Sequence, residues 1–364
     1  MKKTFLLVVT CFLLLHTGAA REIKDEDLKK ALEALQNQVP LTYNGDVRKF
    51  VDVYTTAQKK RFAQMVGLSK YYFPIYEKVF KERGVPDELK YLSVIESSLD
   101  PNAVSKAEAT GPWQFLNEVG KKYGLAVNDT IDERRDPSMA CNAAASYLLD
   151  SYAYYGNDWL LAIASYNCGR NSIKWAMEDS GKKDYWSIRK YLPAETRNYV
   201  PAYIATVYMM NHYRKYGIVP VEPDFITETE HAMATKKVSI DEIAKLGGLN
   251  PYILYTLNPS YKKQMINGSG SSPKKLVVPV LPTYTYNAIC RLVGAPERIV
   301  APTVIASAVP AKPFYTVMYT VQAGDSLQSI AAKFNGATIE SLKSVNNLKD
   351  DAPPPGTMIK VRMQ

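Results

Sequence analysis

The chain has 364 residues, 46% hydrophobic and 22% charged, so it can bury two or three cores and is neither fibrous nor low-complexity. Its formal charge of +9 is spread without a basic cluster, which argues against nucleic acid and leaves a mild bias toward an anionic polymer. The four cysteines have the spacing of neither a metal site nor a disulfide framework.

Met1-Lys2-Lys3, the apolar run from Phe5 to Leu15 and the small residues Thr17 to Ala20 read as a secretory signal over 1–20. The run is too short to span a bilayer comfortably, and no later segment is apolar enough to cross one. Val8-Val9-Thr10 before Cys11 makes a poor lipoprotein signal, so a soluble exported, periplasmic protein is expected. Losing Lys2 and Lys3 lowers the charge from +9 to +7. Of the cysteines that remain, Cys141 and Cys168 form either a bridge or two small buried thiols, the commoner fate of free cysteine.

Residues 21–75 read as a helical extension, with Asn44 or Asp46 capping a helix at Val47. Residues 76–218 read as a second, mostly helical domain. There, Pro86-Asp87-Glu88 starts a helix on which Leu89, Leu92 and Glu96 share the interior face. A carboxylate on that face is costly to ionise unless it is paired or put to use. Glu96 is then either neutralised by a neighbouring Arg or Lys, or a general acid with a raised pKa. In the second reading Trp113 and Gln114 supply a flat apolar face and an amide for a sugar. Asp100-Pro101 ends the helix. Asp136-Pro137 opens an alanine-rich helix to Tyr155, Asp158 caps another that stops at Gly169, and 195–200 make a short helical turn. Pro201 then opens an apolar helix to about Tyr213.

A linker is expected over 219–235, then two weakly similar units, 236–283 and 314–364, separated by a Pro/Ala-rich linker over 284–313. The second unit reads strand, helix, helix, strand. The first repeats that skeleton: Ser239-Ile240 echoes Ser326-Leu327, and Leu257-Asn258 echoes Val345-Asn346. It lacks a counterpart of Gly324-Asp325.

Glu96-Ser97, the run Gly111-Pro112-Trp113-Gln114-Phe115 and Ser165-Tyr166-Asn167-Cys168-Gly169 resemble, in this order, the motifs of soluble-lytic-transglycosylase-type catalytic domains. Gly324-Asp325-Ser326-Leu327, Ile330-Ala331, Asn346 and Gly356 resemble the lysin motif (LysM), a small glycan-binding module. The resemblance implies a mainly α, lysozyme-like catalytic domain with an N-terminal helical extension, followed by two small βααβ LysM-type modules. It implies cleavage of the bond between N-acetylmuramic acid and N-acetylglucosamine in peptidoglycan strands, giving 1,6-anhydro ends and needing no cofactor. Glu96 would be acid and then base, with Tyr166 approaching its carboxyl. Ser97, Ser105, Gln114 and Asn167 would hold the sugar, and Glu195 and Tyr199 would border the groove. Gly324, Asp325, Ser326 and Asn346 would bind glycan in the second module; the first, without the Gly-Asp pair, is read as a divergent relative whose glycan binding the sequence leaves open. A monomer is expected.

The chain departs from that family at Glu108, where a small residue is usual, and at Cys168 and Arg170, where alanine and proline are common. Two rival readings follow. Asp100 or Glu108 could supply the second carboxylate of a lysozyme-type hydrolase. A non-catalytic peptidoglycan scaffold is the other, although a binder needs no carboxylate on an apolar stripe. Taken singly, Tyr166 and Tyr199 could be core tyrosines.

Overall fold

The computed structural model describes residues 24–299 and 315–363. The expected signal segment, Cys11 and residues 300–313 of the Pro/Ala-rich spacer lie outside them.

The helical region runs α1 (Asp25–Leu35), α2 (Gly45–Thr55), α3 (Lys59–Arg83), α4 (Leu92–Ser97), α5 (Asn117–Lys122), α6 (Pro137–Tyr154), α7 (Trp159–Cys168), α8 (Arg170–Ser180), α9 (Tyr185–Ile188) and α10 (Ala194–His212). Local chemistry sets many of these starts. The Asn44 side chain accepts from the Asp46 and Val47 amides, both at 3.0 Å, and Asp136 caps α6 with Pro137 at its first position. Asp158 accepts from the Leu161 amide at the head of α7.

The boundary expected at residue 75 does not exist as a break. Helix α3 runs unbroken through Pro74, and α1 to α10 share one core. In it Leu28, Phe62, Tyr76, Leu92 and Tyr203 are all fully buried. The turn and helix expected on either side of Pro201 are likewise one helix. Proline there removes the hydrogen bond to the carbonyl of Arg197, four residues back. That carbonyl instead accepts from Arg189 Nε at 2.7 Å and from the Tyr185 hydroxyl at 3.2 Å, so the helix continues without an orphaned group. Helix α10 is buried nearly all round and lies against α2 and α7.

The tail is more structured than expected. The 219–235 stretch straps onto α3, where the Val221 amide donates to the Ala63 carbonyl at 3.0 Å. Its carbonyl comes so close that a Cβ on Gly67 would stand 1.6 Å from it. The first small unit then holds β1 (Thr229–Ala234), β2 (Lys237–Ser239), α11 (Ile240–Gly247), α12 (Pro251–Leu257), β3 (Met265–Asn267), β4 (Lys274–Pro279) and α13 (Thr283–Val293). Strand β1 pairs antiparallel with β4, and β2 with β3. Two expectations are corrected here: β1 lies in the supposed linker, and α13 occupies the start of the supposed spacer. Ile289, Cys290 and Val293 of α13 fill the module's own core, which is why the composition-based boundary failed.

The second unit is β5 (Tyr315–Thr320), α14 (Leu327–Lys333), α15 (Ile339–Asn346) and β6 (Met358–Met363), with β5 and β6 antiparallel. This is the strand-helix-helix-strand order read from the sequence. Its core includes Leu327, Ile330 and Val361, joined by Ile253 and Leu257 from α12. No helix among the described residues is long and apolar enough to cross a membrane. Cys141, Cys168 and Cys290 are free thiols.

Candidate active site

Glu96 sits at the end of a short, heavily packed element. A 3₁₀ turn over Asp87–Tyr91 leads into α4, and Leu89 and Leu92 are both fully buried on the stripe that carries the carboxylate. The helix stops earlier than the proline rule suggests. Ser98 and Leu99 take left-handed backbones (φ 63° and 67°), which turns the chain away directly after Ser97. Asp100 is therefore a loop residue, and its carboxylate accepts from the Asn102 amide at 2.8 Å.

Glu96 is half-buried, and no Arg or Lys neutralises it among the described residues. Its partner is the Tyr199 hydroxyl, donated to Oε1 from α10. Burial pushes the Glu96 carboxyl from its ordinary 4.5 up to about 8; the Tyr199 bond pulls it down, and the charge of Glu195 adds to the rise. The carboxyl is thus protonated at neutral pH, as a general acid must be.

Tyr166 was expected at the Glu96 carboxyl, but its hydroxyl is committed to the Trp113 carbonyl at 2.8 Å. It remains close enough that Glu96, after burial, helps raise its own pKa. Trp113 is fully buried, packed on Tyr76 and Phe80, and presents no face to a ligand. Ser97 is also internal: its hydroxyl donates toward the Pro112 carbonyl at 3.0 Å and accepts from the Asp100 amide at 3.1 Å. It ties α4 to the 111–115 loop and has no surface left for sugar.

The remaining polar residues keep bonding capacity to spare. Ser105 Oγ accepts from the Ala107 and Ala109 amides at 3.2 and 3.1 Å, which leaves its proton to donate. The Gln114 amide nitrogen donates to the Ala103 and Gly111 carbonyls, leaving its oxygen as an acceptor. Gly111, at φ 85°, is required here, because a Cβ would lie 1.8 Å from the Arg134 carbonyl. Asn167 donates to Glu195 Oε1 at 2.9 Å and accepts from Thr196 Oγ1 at 2.7 Å. It positions Glu195 and keeps one amide proton free. Glu108 is exposed at φ 61° and holds the loop through its carbonyl.

Thr196 and Arg134 escaped the reading of the sequence. Thr196 stands next to Glu195, and Asp132-x-Arg134 is a charge pair visible in the sequence. The four residues expected to bind glycan in the second module are part-exposed or exposed and also serve its fold. Asp325 accepts from the Tyr319 hydroxyl, the Gln322 amide and Lys333, and these bonds hold its carboxyl well below the usual range. Ser326 caps α14, and Gly324 makes the preceding turn at φ 88°. Asn346 bonds the Leu342 carbonyl and both backbone groups of Lys360, joining α15 to β6. These are fold-forming roles.

The site thus holds a half-buried acid on a short helix, with a tyrosine donor, in a mostly helical domain. The chain carries a transglycosylase SLT domain, matched over residues 74–189, followed by two LysM-type modules. The family descriptions are "Lytic transglycosylase MltD, LysM-like domain" over 228–284 and "LysM domain" over 319–362. Among curated proteins it is similar to membrane-bound lytic murein transglycosylase D of Escherichia coli, 30% identical over 285 residues. That match takes in 77% of this chain and 61% of the relative, so the chain spans under two thirds of it. The peptidoglycan transglycosylase gp16 of Escherichia phage T7 is 33% identical over 132 residues, 35% of this chain and 10% of that protein. Among solved structures, the 70 kDa soluble lytic transglycosylase of Escherichia coli aligns with TM-score 0.36 and 17% identity, over 54% of this chain and 31% of that one.

Proposed function

We propose that this protein is a peptidoglycan lytic transglycosylase that cleaves between N-acetylmuramic acid and N-acetylglucosamine, with Glu96 as its single acid and base. The observation that carries the reading is the carboxyl of Glu96: desolvated, protonated to about pH 8 and bonded by Tyr199. Glu96 protonates the leaving oxygen, and the substrate's acetamido group stabilises the oxocarbenium-like carbon. The ionised Glu96 then takes the proton of the same sugar's C6 hydroxyl as that oxygen closes the 1,6-anhydro ring, an intramolecular attack favoured by proximity. Ser105, Gln114 and Asn167 are the groups with bonding capacity left for the sugar, and Tyr199 keeps the departing and returning proton on a defined oxygen.

The hydrolase reading needs a second carboxylate to activate water. Asp100 turns away into a loop and Glu108 is exposed; Glu195, whose charge acts on Glu96, has Oε1 taken by Asn167. We place the protein in the periplasm after export, as a monomer on the cell wall. A hollow of about 460 Å³ beside α10, lined by Arg189, Lys190 and Arg197, suits an anionic polymer. Digestion of sacculi in ¹⁸O-labelled water with mass spectrometry of the products tests the chemistry. Anhydro ends without label are expected, and labelled reducing ends would replace this reading with hydrolysis.

A further inference from the structure

The first LysM-like module touches α3 at Tyr71, which bonds Thr229 of β1, and pairs its backbone with a run of the helical domain, residues 126–134. The Asp132 amide donates to the Ser260 carbonyl at 2.8 Å, the Lys262 amide donates to the Thr130 carbonyl at 3.0 Å, and Ile131 stands opposite Tyr261. Ile131 is 7% exposed and packs into the module's core rather than its own domain's. Lys262 Nζ reaches the Asn128 carbonyl at 2.8 Å. Lys274 Nζ lies 3.4 Å from Glu133, whose other oxygen accepts from the Ala126 amide at 2.8 Å.

Directly behind this seam is a buried ion pair. Asp132, 2% exposed, receives Arg134 Nε at 2.9 Å and a second guanidinium nitrogen at 2.8 Å. Burial alone would raise the Asp132 pKa, but the bonds and charge of Arg134, with Lys262 adding its own charge, hold it below the usual range. The last guanidinium nitrogen donates to the Glu108 and Phe115 carbonyls, each at 3.1 Å. Those two carbonyls belong to the 105–115 loop and stand on either side of Gln114, with Ser105 three residues before the first.

We infer that the first LysM-like module serves as a buttress for the 105–115 loop, with Arg134 as the positioning residue that transmits its support. This rests on the proposed function only in taking that loop as substrate-bearing. The module's edge fixes residues 128–133 and so fixes Asp132. Asp132 presets the guanidinium, and the guanidinium pins the loop at Glu108 and at Phe115. A buried pair of this kind works only when complete, so losing either support loosens the loop. Lysine cannot replace Arg134, because it lacks the fork that grips a carboxylate and two carbonyls at once.

The test uses the full chain with Ile131→Asp, Arg134→Lys, the double variant and Ile131→Leu as the conservative control. Turnover of soluble peptide-free glycan oligomers, amide exchange across 105–115 and pelleting with insoluble peptidoglycan are measured. Each single variant is expected to lower kcat about 5- to 30-fold with KM changed less than about twofold, since displacement of positioned groups acts on rate. Exchange over 105–115 should accelerate while pelleting holds, and Ile131→Leu should restore kcat. The double variant should be no more than about twofold worse than the poorer single, because both cut one chain of support. Additive losses, or unchanged exchange over 105–115, would overturn the inference. Should Ile131→Asp fail to fold, Lys274→Ala leaves the module's core intact. It should give a smaller change in the same direction, and no change in kcat or exchange would equally overturn it. Exchange reads the buttress independently of chemistry, so labelled reducing ends would sink the proposed reaction without touching this point.

Discussion

The two LysM-type modules share a skeleton and differ in how they meet the rest of the chain. Asn258 in the first bonds the Leu254 carbonyl and both backbone groups of Val277; Asn346 in the second bonds the Leu342 carbonyl and both backbone groups of Lys360. Each copy thus uses one asparagine to clamp its second helix to its last strand. At their borders they part company. The first adds β2, β3 and α13 and pairs its backbone with residues 130–132 of the helical domain. The second leans on Ile253 and Leu257 by apolar contact, and cavities of about 810 and 780 Å³ open beside its sheet. A shared motif therefore reports a shared fold, while the edges around it decide whether a module is a support or a tether.

The largest effect should come from separating catalysis from both modules. Glu96→Gln is expected to lower sacculus cleavage by at least about 10³-fold, near the upper range for loss of a general acid. Pelleting with peptidoglycan should be unaffected, and a variant keeping more than a few per cent of the rate would show that another residue is the acid.

Next, deletion of 315–364 should weaken pelleting about tenfold and leave cleavage of short soluble glycans within about twofold, because a tether raises local concentration rather than rate. Equal loss of both activities would make the second module a support like the first.

The pH response is smaller but has a definite sign. Activity should fall as pH rises through about 8, where Glu96 loses its proton. Glu195→Gln removes a repelling charge and should move that limb down; Tyr199→Phe removes a bond favouring the ionised form and should move it up, each by about 0.5 to 1 unit. Because the folded pKa of Glu96 is raised, its contribution to stability is complete below about 4.5 and is lost as pH climbs through about 8. Glu96→Gln should therefore gain on the parent between those values, by about 1–2 kcal/mol at pH 8 once partial solvation is allowed for. Parallel melting curves across that range would contradict the desolvated acid.

The smallest expected effect probes the common clamp. Asn258→Ala and Asn346→Ala should each cost about 1–3 kcal/mol of their module's stability by denaturant titration, since each strands backbone groups. Loss of pelleting in Asn346→Ala without loss of stability would return that residue to the ligand surface.

Much of the helical domain was legible because its signals are local. Asn44, Asp136-Pro137 and Asp158 mark helix starts through bonds to amides two or three residues on, and the stripe of Leu89, Leu92 and Glu96 follows from helical period alone. Pro201 misled for the opposite reason: the cost of its missing hydrogen bond is offset by Arg189 and Tyr185, which are remote in sequence. Trp113 and Ser97 misled because a motif records which residues are needed without saying which way they face.

The sequence by itself determined the mainly helical class, the skeleton of both modules and the place of Glu96 on a buried stripe, since caps and period are written in short stretches. Only the tertiary structure decided that Tyr199 rather than Tyr166 bonds Glu96, that Glu195 is the charge acting on it, and that Asp132 and Arg134 link a module to the loop. Hydrogen bonds and Coulomb fields act over a few ångströms in space. Partners drawn from α4 and α10, 103 residues apart, become neighbours only once the core has closed.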